Sequence, residues 1–152
     1  MPAVYERRFL VRVAVVLLVT LCVGLVAPKR ADAATSAERQ MAALINKART
    51  SHGRAALKFN DSLSRYARRH SATMASKGVL YHNPYLAKWL AHWSWTILGE
   101  NVGVGASVAS LHNAFMHSPP HRENIMDRHF RNVGVGIVVR DGRTWVTIIF
   151  RG

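Results

Sequence analysis

The chain has 152 residues and a formal net charge of +13, so it is long enough for one domain and strongly basic. Its single cysteine, Cys22, excludes an internal disulfide framework and a cluster of cysteine metal ligands. The glycines of residues 99–105 follow neither the G-x-G-x-x-G nor the Walker pattern, which excludes the usual nucleotide-binding loops. The sequence also lacks a G-x-S-x-G elbow, which disfavours an acyl-enzyme mechanism.

The first 33 residues have the pattern of a secretory signal peptide. Arg7, Arg8 and Arg12 give a basic start, residues 13–27 form an apolar run, and residues 31–33 read A-D-A, which is the A-x-A form of a cleavage site. The alternative is an uncleaved membrane anchor, but the run is shorter than the roughly 20 residues that a spanning helix needs. We therefore expect a secreted or extracytoplasmic domain of residues 34–152, without a thiol or a transmembrane helix.

The charge of this domain predicts attraction to polyanions. Residues 34–152 keep a formal net charge of +10, which would favour an anionic polymer or lipid of the cell envelope. Nucleic acid is a weaker hypothesis, because no long basic run is present. The spread of the basic residues favours the alternative of a solvated surface without a specific partner. The densest cluster, Arg65, Arg68 and Arg69, fits the outer face of one helix.

Two amphipathic helices are predicted at the start of the domain. The sequence T-S-A-E at residues 35–38 fits a capping box, and apolar residues follow at helical spacing. A second helix is predicted from Asn60 or Asp61 to Gly78. His70 lies on its apolar stripe, where a hydrogen-bonded core histidine is favoured over a ligand.

Residues 79–96 lack a clear periodicity and are rich in aromatic side chains. A short helix is predicted within residues 84–93, with proline in its first turn. We expect the tryptophans of this segment to cover the core rather than to line a ligand groove. A short apolar strand then leads to a helix over about residues 107–117, which Pro119 and Pro120 end because they lack amide donors.

The C-terminal part of the chain predicts a β-hairpin. Two apolar runs, residues 132–140 and 143–151, are joined by Asp141 and Gly142, a favoured two-residue hairpin turn. Both alternating faces of these strands carry apolar side chains. We therefore expect helices on both sides of the sheet.

His82, Glu100 and His121 are the residues that we expect to converge on one cleft. His121 follows two prolines in S-P-P-H-R-E-N, so it stands at the start of a new element, in a fixed position suited to chemistry. Two neutral imidazoles and a carboxylate suit zinc or another divalent metal, with open positions for water or substrate. Glu100 would serve as a ligand or a base. The alternative for His121 is a structural hydrogen bond that braces the proline turn.

Several motifs in their order resemble the CAP superfamily, which groups cysteine-rich secretory proteins, antigen 5 and plant pathogenesis-related 1 proteins. The chain is most similar to its small bacterial secreted members, and the resemblance covers about residues 37–150. Besides a histidine at His82, the motifs are N-K-A-R-T-S-H-G-R-A-A-L, A-R-R-H-S-A-T-M-A, G-E-N-V-G-V-G, F-M-H-S-P-P-H-R-E-N-I-M, and N-V-G-V-G before a W-V-T strand.

The resemblance implies an α+β fold, a three-layer α-β-α sandwich with a small antiparallel sheet that ends in the C-terminal hairpin. It also implies a cleft whose two histidines are His82 and His121 and whose first glutamate is Glu100, and in some members such histidines bind zinc. The second glutamate of the eukaryotic pattern would fall near Ser118, and the disulfides of many relatives are absent. The loss of that carboxylate puts a catalytic use of the cleft in doubt.

Four further residues are candidates for supporting the cleft: Asn101, His117, Ser118 and Asn124. The two asparagines are expected to tie loops to backbone groups rather than to touch a substrate. His117 would supply a third imidazole or, as the favoured alternative, face solvent in the last turn of its helix.

We interpret the protein as a non-catalytic binding module whose cleft takes a divalent metal or a small ligand at the cell envelope or outside the cell. The second hypothesis is a metal-dependent hydrolase that uses His82, His121 and Glu100. A basic nucleic-acid binder is a third and weaker hypothesis, and its affinity would fall steeply with salt.

Overall fold

The computed structural model describes residues 34–152, so the predicted signal peptide and Cys22 lie outside the described residues. None of the helices in this range has the length and apolarity needed to span a membrane. In chain order, the elements are α1 (Ser36–Ser51), β1 (Lys58–Phe59), α2 (Asp61–Lys77), α3 (Leu86–Trp89), β2 (Leu98–Gly105), α4 (Val108–His117), α5 (Pro119–Met126), β3 (Asn132–Arg140) and β4 (Arg143–Arg151).

The four strands form one mixed sheet in the order β1-β3-β4-β2. The three long strands are antiparallel, with β2 running along β4 from the pair Leu98–Arg151. The short strand β1 adds a parallel pair with β3 that the sequence did not predict, because two residues are too few to display an alternation. The predicted α+β fold is confirmed, and β2 is left at the edge of the sheet.

The C-terminal hairpin has the predicted bounds and turn. Arg140 pairs with Arg143, and the two residues between them, Asp141 and Gly142, have φ angles of 50° and 69°. Positive φ at both central positions is what the favoured two-residue turn requires, because its twist matches that of the strands.

Helices cover both faces of the sheet, which confirms the three-layer arrangement. α2 packs on one face, where Leu63, Ala67 and Met74 lie in clusters with Ile149 and Trp145. α1, α4 and α5 pack on the other face. Their cluster comprises Met41, Ile45, Leu111, Phe115 and Ile125 from the helices and Val133, Val135, Ile137, Val146, Ile148 and Phe150 from the sheet.

α2 approaches β3 so closely that its backbone touches the strand. A Cβ atom built on Gly136 would lie 1.9 Å from the backbone nitrogen of Arg68, so only glycine fits there. The hydroxyl of Ser64 accepts a hydrogen bond from Val135 N at 3.0 Å, and the hydroxyl of Ser71 lies 2.9 Å from the carbonyl of Gly136 and donates to it. The N-V-G-V-G motif is therefore a site of helix–strand contact.

Glu38 joins α1, α2 and β3 through a fully buried carboxylate. It completes the predicted capping box by accepting from Thr35 N at 2.8 Å, and it also accepts from Ile137 N at 3.1 Å. Arg68 donates to both carboxylate oxygens at 2.8 Å. Burial alone would raise the pKa of Glu38, but these hydrogen bonds together hold the pKa below its ordinary value.

The prediction that all three arginines of the basic cluster share the outer face of α2 is wrong for one of them. Arg65 and Arg69 are exposed, whereas the guanidinium of Arg68 turns inward to Glu38. The reason is that a buried carboxylate requires a cationic or hydrogen-bonding partner, and Arg68 is the side chain within reach.

The ends of α2 and the place of His70 agree with the sequence. Asn60 caps the helix by accepting from Leu63 N at 2.9 Å, and Gly78 ends it in the left-handed region with φ of 65°. His70 is buried, and its Nε2 lies 2.8 Å from the carbonyl of Tyr81. His70 is therefore a hydrogen-bonded core histidine that holds the chain just before His82.

A buried arginine fixes the C-terminal end of α5. Arg49, in the last turn of α1, is fully enclosed and donates to the carbonyls of Ala55, Ile125 and Asp127 at 2.8, 2.6 and 2.9 Å. This role of Arg49 could not be predicted from the sequence, because the acceptors are backbone groups. Through Arg49, the position of α5 depends on α1.

The aromatic segment between α2 and β2 is less helical than predicted. Only Leu86–Trp89 is helical, and the residues after it form turns. Trp93 packs on the cluster that contains Leu90, as expected of a residue that covers the core. Trp89, in contrast, lines an open groove beside α2. The tryptophans of this segment therefore both cover the core and line a groove, whereas only the first was expected.

Candidate functional site

His82 and Glu100 form the centre of the candidate site. Glu100 lies on the edge strand β2, and its side chain is only 6% exposed. Its Oε1 atom lies 2.9 Å from His82 Nδ1 and accepts a hydrogen bond from Asn83 N at 2.8 Å. With the carboxylate oxygen as the acceptor, Nδ1 of His82 is the donor, and in the neutral form of that tautomer Nε2 carries the lone pair.

The other oxygen of the same carboxylate has no partner in the described part of the chain. Glu100 Oε2 is buried and makes no hydrogen bond. A buried charged oxygen without a donor is costly, so such an atom in a folded protein calls for an explanation. A purely structural role of Glu100 does not explain this oxygen.

His121 is held at the start of α5, as the two prolines predicted. Its Nδ1 lies 2.8 Å from the hydroxyl of Ser118, and its ring packs against Phe115 with a centroid distance of 5.0 Å. Burial lowers the pKa of His121, and a positive charge on His82 lowers it further. Both effects favour the neutral form of His121.

Two asparagines lock α5 onto β2. Asn101 Nδ2 donates to the carbonyl of His121 at 2.9 Å. Asn124 Nδ2 donates to Asn101 Oδ1 at 2.9 Å and to the carbonyl of Glu100 at 3.2 Å. These contacts agree with the predicted role of tying loops to backbone groups, and they place the G-E-N and H-R-E-N motifs side by side.

The register of β2 places Glu100 and Asn101 on opposite faces of the sheet. Glu100 pairs with Ile149 and Asn101 with Ile148, and consecutive residues of a strand point to opposite faces. Glu100 therefore faces the His82 side of the sheet and Asn101 faces α5. Through these two neighbouring residues, β2 contacts the ring of His82 and the backbone carbonyl of His121.

The remaining two candidates differ in what they contact. His117 is exposed, and its Nδ1 lies 2.8 Å from the carbonyl of Asn113 one turn earlier, which is the solvent-facing alternative. Ser118 stands where the second glutamate of the resemblance would fall, and its hydroxyl contacts His121.

The residues present fit a divalent metal in one specific way. No group of three His, Cys, Asp or Glu side chains in residues 34–152 is arranged as a ready ligand set. Both histidines, however, have Nδ1 engaged, and histidines that bind metals commonly have one ring nitrogen fixed by a carboxylate or another polar group while the other binds. In such an arrangement the imidazoles would be the ligands, and Glu100 would orient one of them.

Sequence comparison decides the family. Residues 42–150 match the sequence profile of the cysteine-rich secretory protein family, known as CAP. The chain belongs to the CAP family. Over 115 residues it is 30% identical to the protein YkwD of Bacillus subtilis, a match that covers 71% of this chain and 44% of YkwD. The chain therefore spans less than half of that CAP relative.

Solved structures share the CAP fold with this chain. An extracellular protein with an SCP domain from Bacillus anthracis has a TM-score of 0.67 and 24% identity, over 75% of this chain and 39% of that protein. An outer surface protein from Borrelia burgdorferi has a TM-score of 0.68 and 15% identity, over 74% of this chain and 90% of that protein. A cysteine-rich secretory protein from Staphylococcus aureus has a TM-score of 0.65 and 23% identity, over 82% of this chain and 40% of that protein.

One residue of the CAP site was not singled out from the sequence. Asn83 donates its backbone N–H to Glu100, directly after His82. Every residue except proline has a backbone N–H, so this role cannot be recognised from the residue type. The only available signal was its position before Pro84, since a residue that precedes proline prefers extended backbone.

Proposed function

We propose that this protein is a secreted CAP-domain module that acts at the cell envelope or outside the cell and binds a divalent metal, zinc first, in the cleft of His82 and His121. Its export is supported by the signal-like pattern of residues 1–33 and by the extracellular and outer surface origin of two structural neighbours. We favour binding over turnover because a serine, Ser118, lies where the resemblance would place a second glutamate, and because no cysteine of residues 34–152 and no serine elbow offers an acyl-enzyme nucleophile.

The metal hypothesis is carried by the contact of His82 Nδ1 with Glu100 at 2.9 Å. This contact fixes the orientation and the tautomer of the His82 ring. It also makes Nε2 more basic and therefore a stronger metal ligand. His121, with Nδ1 on the hydroxyl of Ser118, has the same arrangement with a weaker partner. The lowered pKa of His121 supports a neutral ring at neutral pH, and only neutral imidazole binds a metal.

A metal-dependent hydrolase is the second candidate, and one observation favours it. Glu100 Oε2 is buried without a hydrogen bond, so it is available to take a proton. Zinc, when bound, would supply a water of lowered pKa. Hydrolysis that is lost both when a chelator removes the metal and in the Glu100→Gln variant would establish this activity. If the protein catalyses no hydrolysis, the binding module remains the proposal.

Zinc titrated into the purified protein at neutral pH should bind near one equivalent, and the double variant His82→Ala/His121→Ala should not bind it. Isothermal calorimetry measures both. The control is His52→Ala/His92→Ala, which removes two exposed imidazoles elsewhere and should bind as the parent does. Binding that survives in the cleft variant would refute the proposed site, as would the absence of binding to the parent.

Ser118→Ala tests whether the partner of His121 matters for the metal rather than for the fold. Loss of a group that orients a ligand commonly lowers metal affinity by about 10- to 100-fold. Stability should change little, because the side chain of the N-cap Ser118 makes no capping hydrogen bond to the backbone of α5 and instead contacts the imidazole of His121. Calorimetry and thermal unfolding separate the two effects. The control, Ser76→Ala on the exposed side of α2, should alter neither, and equal zinc affinity in Ser118→Ala would show that the contact is incidental.

A further inference from the structure

A groove of about 390 Å³ lies beside the cleft, between α2 and the aromatic segment that follows it. His82, Glu100 and His121 do not line it, so it is separate from the proposed metal site. We call it the α2–α3 groove. One wall carries Arg69, Thr73 and Lys77 from α2, and the other carries Tyr81, Tyr85 and Trp89.

The groove is cationic, and its cations are held in place. The guanidinium of Arg69 lies 4.9 Å from the ring centroid of Trp89, and the ammonium of Lys77 lies 5.4 Å from that of Tyr81. No acidic side chain belongs to the described lining. The two cations are eight residues apart on one helix, about 12 Å along its axis, and each packs on a different aromatic ring. This spacing favours an extended anionic ligand.

The lining also contains a buried donor that nothing in residues 34–152 satisfies. Asn83 is 8% exposed, and its Nδ2 atom is buried without an acceptor. The orientation of the amide is set, because Oδ1 accepts from Tyr85 N at 3.0 Å. Nearby, the hydroxyl of Thr73 donates to the carbonyl of Arg69 at 2.9 Å, which leaves its lone pairs available. The lining thus contains an unused donor on Asn83 and an unused acceptor on Thr73.

Of the tyrosines that line the α2–α3 groove, Tyr81 is held by contacts with α2, whereas the ring of Tyr85 is exposed. Buried His70 bonds to the carbonyl of Tyr81 and packs edge-on against the ring of Tyr81 at 5.1 Å. Tyr85, in contrast, is 58% exposed, so a face of its ring is open to a ligand. A flat apolar face beside hydrogen-bonding groups suits a molecule that has both an apolar ring face and hydroxyl groups.

We propose that the α2–α3 groove binds a short oligosaccharide that carries carboxylate groups. The carboxylates pair with Arg69 and Lys77, a sugar ring lies on Tyr85, and a hydroxyl or ring oxygen accepts from Asn83 Nδ2. A flexible peptide of acidic residues would use the two cations, and its carbonyls could accept from the amide, but it has no ring face to lie on Tyr85. The inference gives the basic, extracytoplasmic module a class of envelope ligand, and it does not depend on metal binding by the cleft.

The test uses calorimetry with α-1,4-linked trigalacturonate as the probe. The parent protein should bind it, and should bind the methyl ester of the same trisaccharide at least about tenfold more weakly, because charge-assisted hydrogen bonds are the strong ones. The double variant Arg69→Gln/Lys77→Gln should bind trigalacturonate about tenfold more weakly than the parent. A matched double variant, Lys47→Gln/Arg128→Gln, has the same net charge and removes exposed cations elsewhere, so its affinity should equal that of the parent.

A second variant keeps the test independent of charge. Tyr85→Ala leaves the net charge unchanged and should weaken trigalacturonate binding several-fold, because the ring that the sugar covers is removed. Thermal unfolding of each variant checks that the fold is intact. Equal binding of pentaglutamate, equal losses in both charge variants, or no binding of trigalacturonate would overturn the proposal. The zinc titration does not involve these residues, so either proposal can fail alone.

Discussion

Gly136→Ala should lower the free energy of unfolding by about 4 kcal/mol or more, which is enough to unfold many domains. The new Cβ atom would lie 1.9 Å from Arg68 N and 2.2 Å from Ala67 C, and both are backbone atoms of α2. A side chain could rotate away, but a helix backbone must move as a whole. Such a shift would break the contacts of Ser64 and Ser71 with β3. Urea unfolding followed by tryptophan fluorescence measures the effect.

Gly105→Ala is the matched control for this prediction. Gly105 also lies in a strand, but its Cβ would meet only the end of the Leu111 side chain, at 3.0 Å. Because that side chain can adjust, the cost should stay near 1 kcal/mol. If the urea midpoint of Gly136→Ala equals that of Gly105→Ala, α2 does not pack on β3 as closely as described.

Glu38→Gln should cost about 2–3 kcal/mol, because it breaks a partly buried ion pair and leaves donors without an acceptor. The carboxylate accepts from Thr35 N, from Ile137 N and from both donors that Arg68 offers. Glutamine has one oxygen, and its amide group would face donors. The estimate is below the usual cost for a fully buried pair because the side chain of Arg68 is 26% exposed. The free energy of unfolding from urea titration at pH 7 tests this value.

The same residue predicts how stability responds to acid. Because the pKa of Glu38 is lower in the folded protein, the unfolded chain binds the proton first. Its stabilising contribution is therefore fully present above the ordinary pKa of 4.5 and is lost as the pH falls through the lower, folded value. The parent should lose more stability between pH 6 and pH 3 than Glu38→Gln does. The control is Asp61→Asn, at an exposed acid, which should retain the acid sensitivity of the parent. An equal loss in the parent and in Glu38→Gln would contradict the prediction.

Local chemistry explains which parts of the fold were predictable. The capping box at Thr35, the asparagine cap at Asn60 and the turn at Asp141 lie within a few residues of the groups that they serve. Their patterns are therefore complete in the sequence. The contact between Glu38 and Arg68 joins residues 30 positions apart, and neither residue type indicates which partner it will contact. The inward turn of Arg68 consequently required the structure.

The candidate site was predictable to a similar extent. The approach of His82 to Glu100 came from the resemblance of the motifs rather than from their spacing, since 18 residues separate the two. What the sequence did not indicate was the order of the groups, with Glu100 behind the imidazole and Asn83 N on the same oxygen. That order arises from β2 being an edge strand, which depends on the pairing of the whole sheet.

The edge position of β2 also bears on self-association. An uncovered edge strand presents free backbone groups with which a second chain can pair, and proteins protect such edges by covering them. Here Asn124 occupies the carbonyl of Glu100, and Asn101 holds the start of α5 against the strand. The amides that assemble the cleft thus also block strand addition. A loss of their contacts would expose an aggregation-prone edge at the position where ligand binding is proposed.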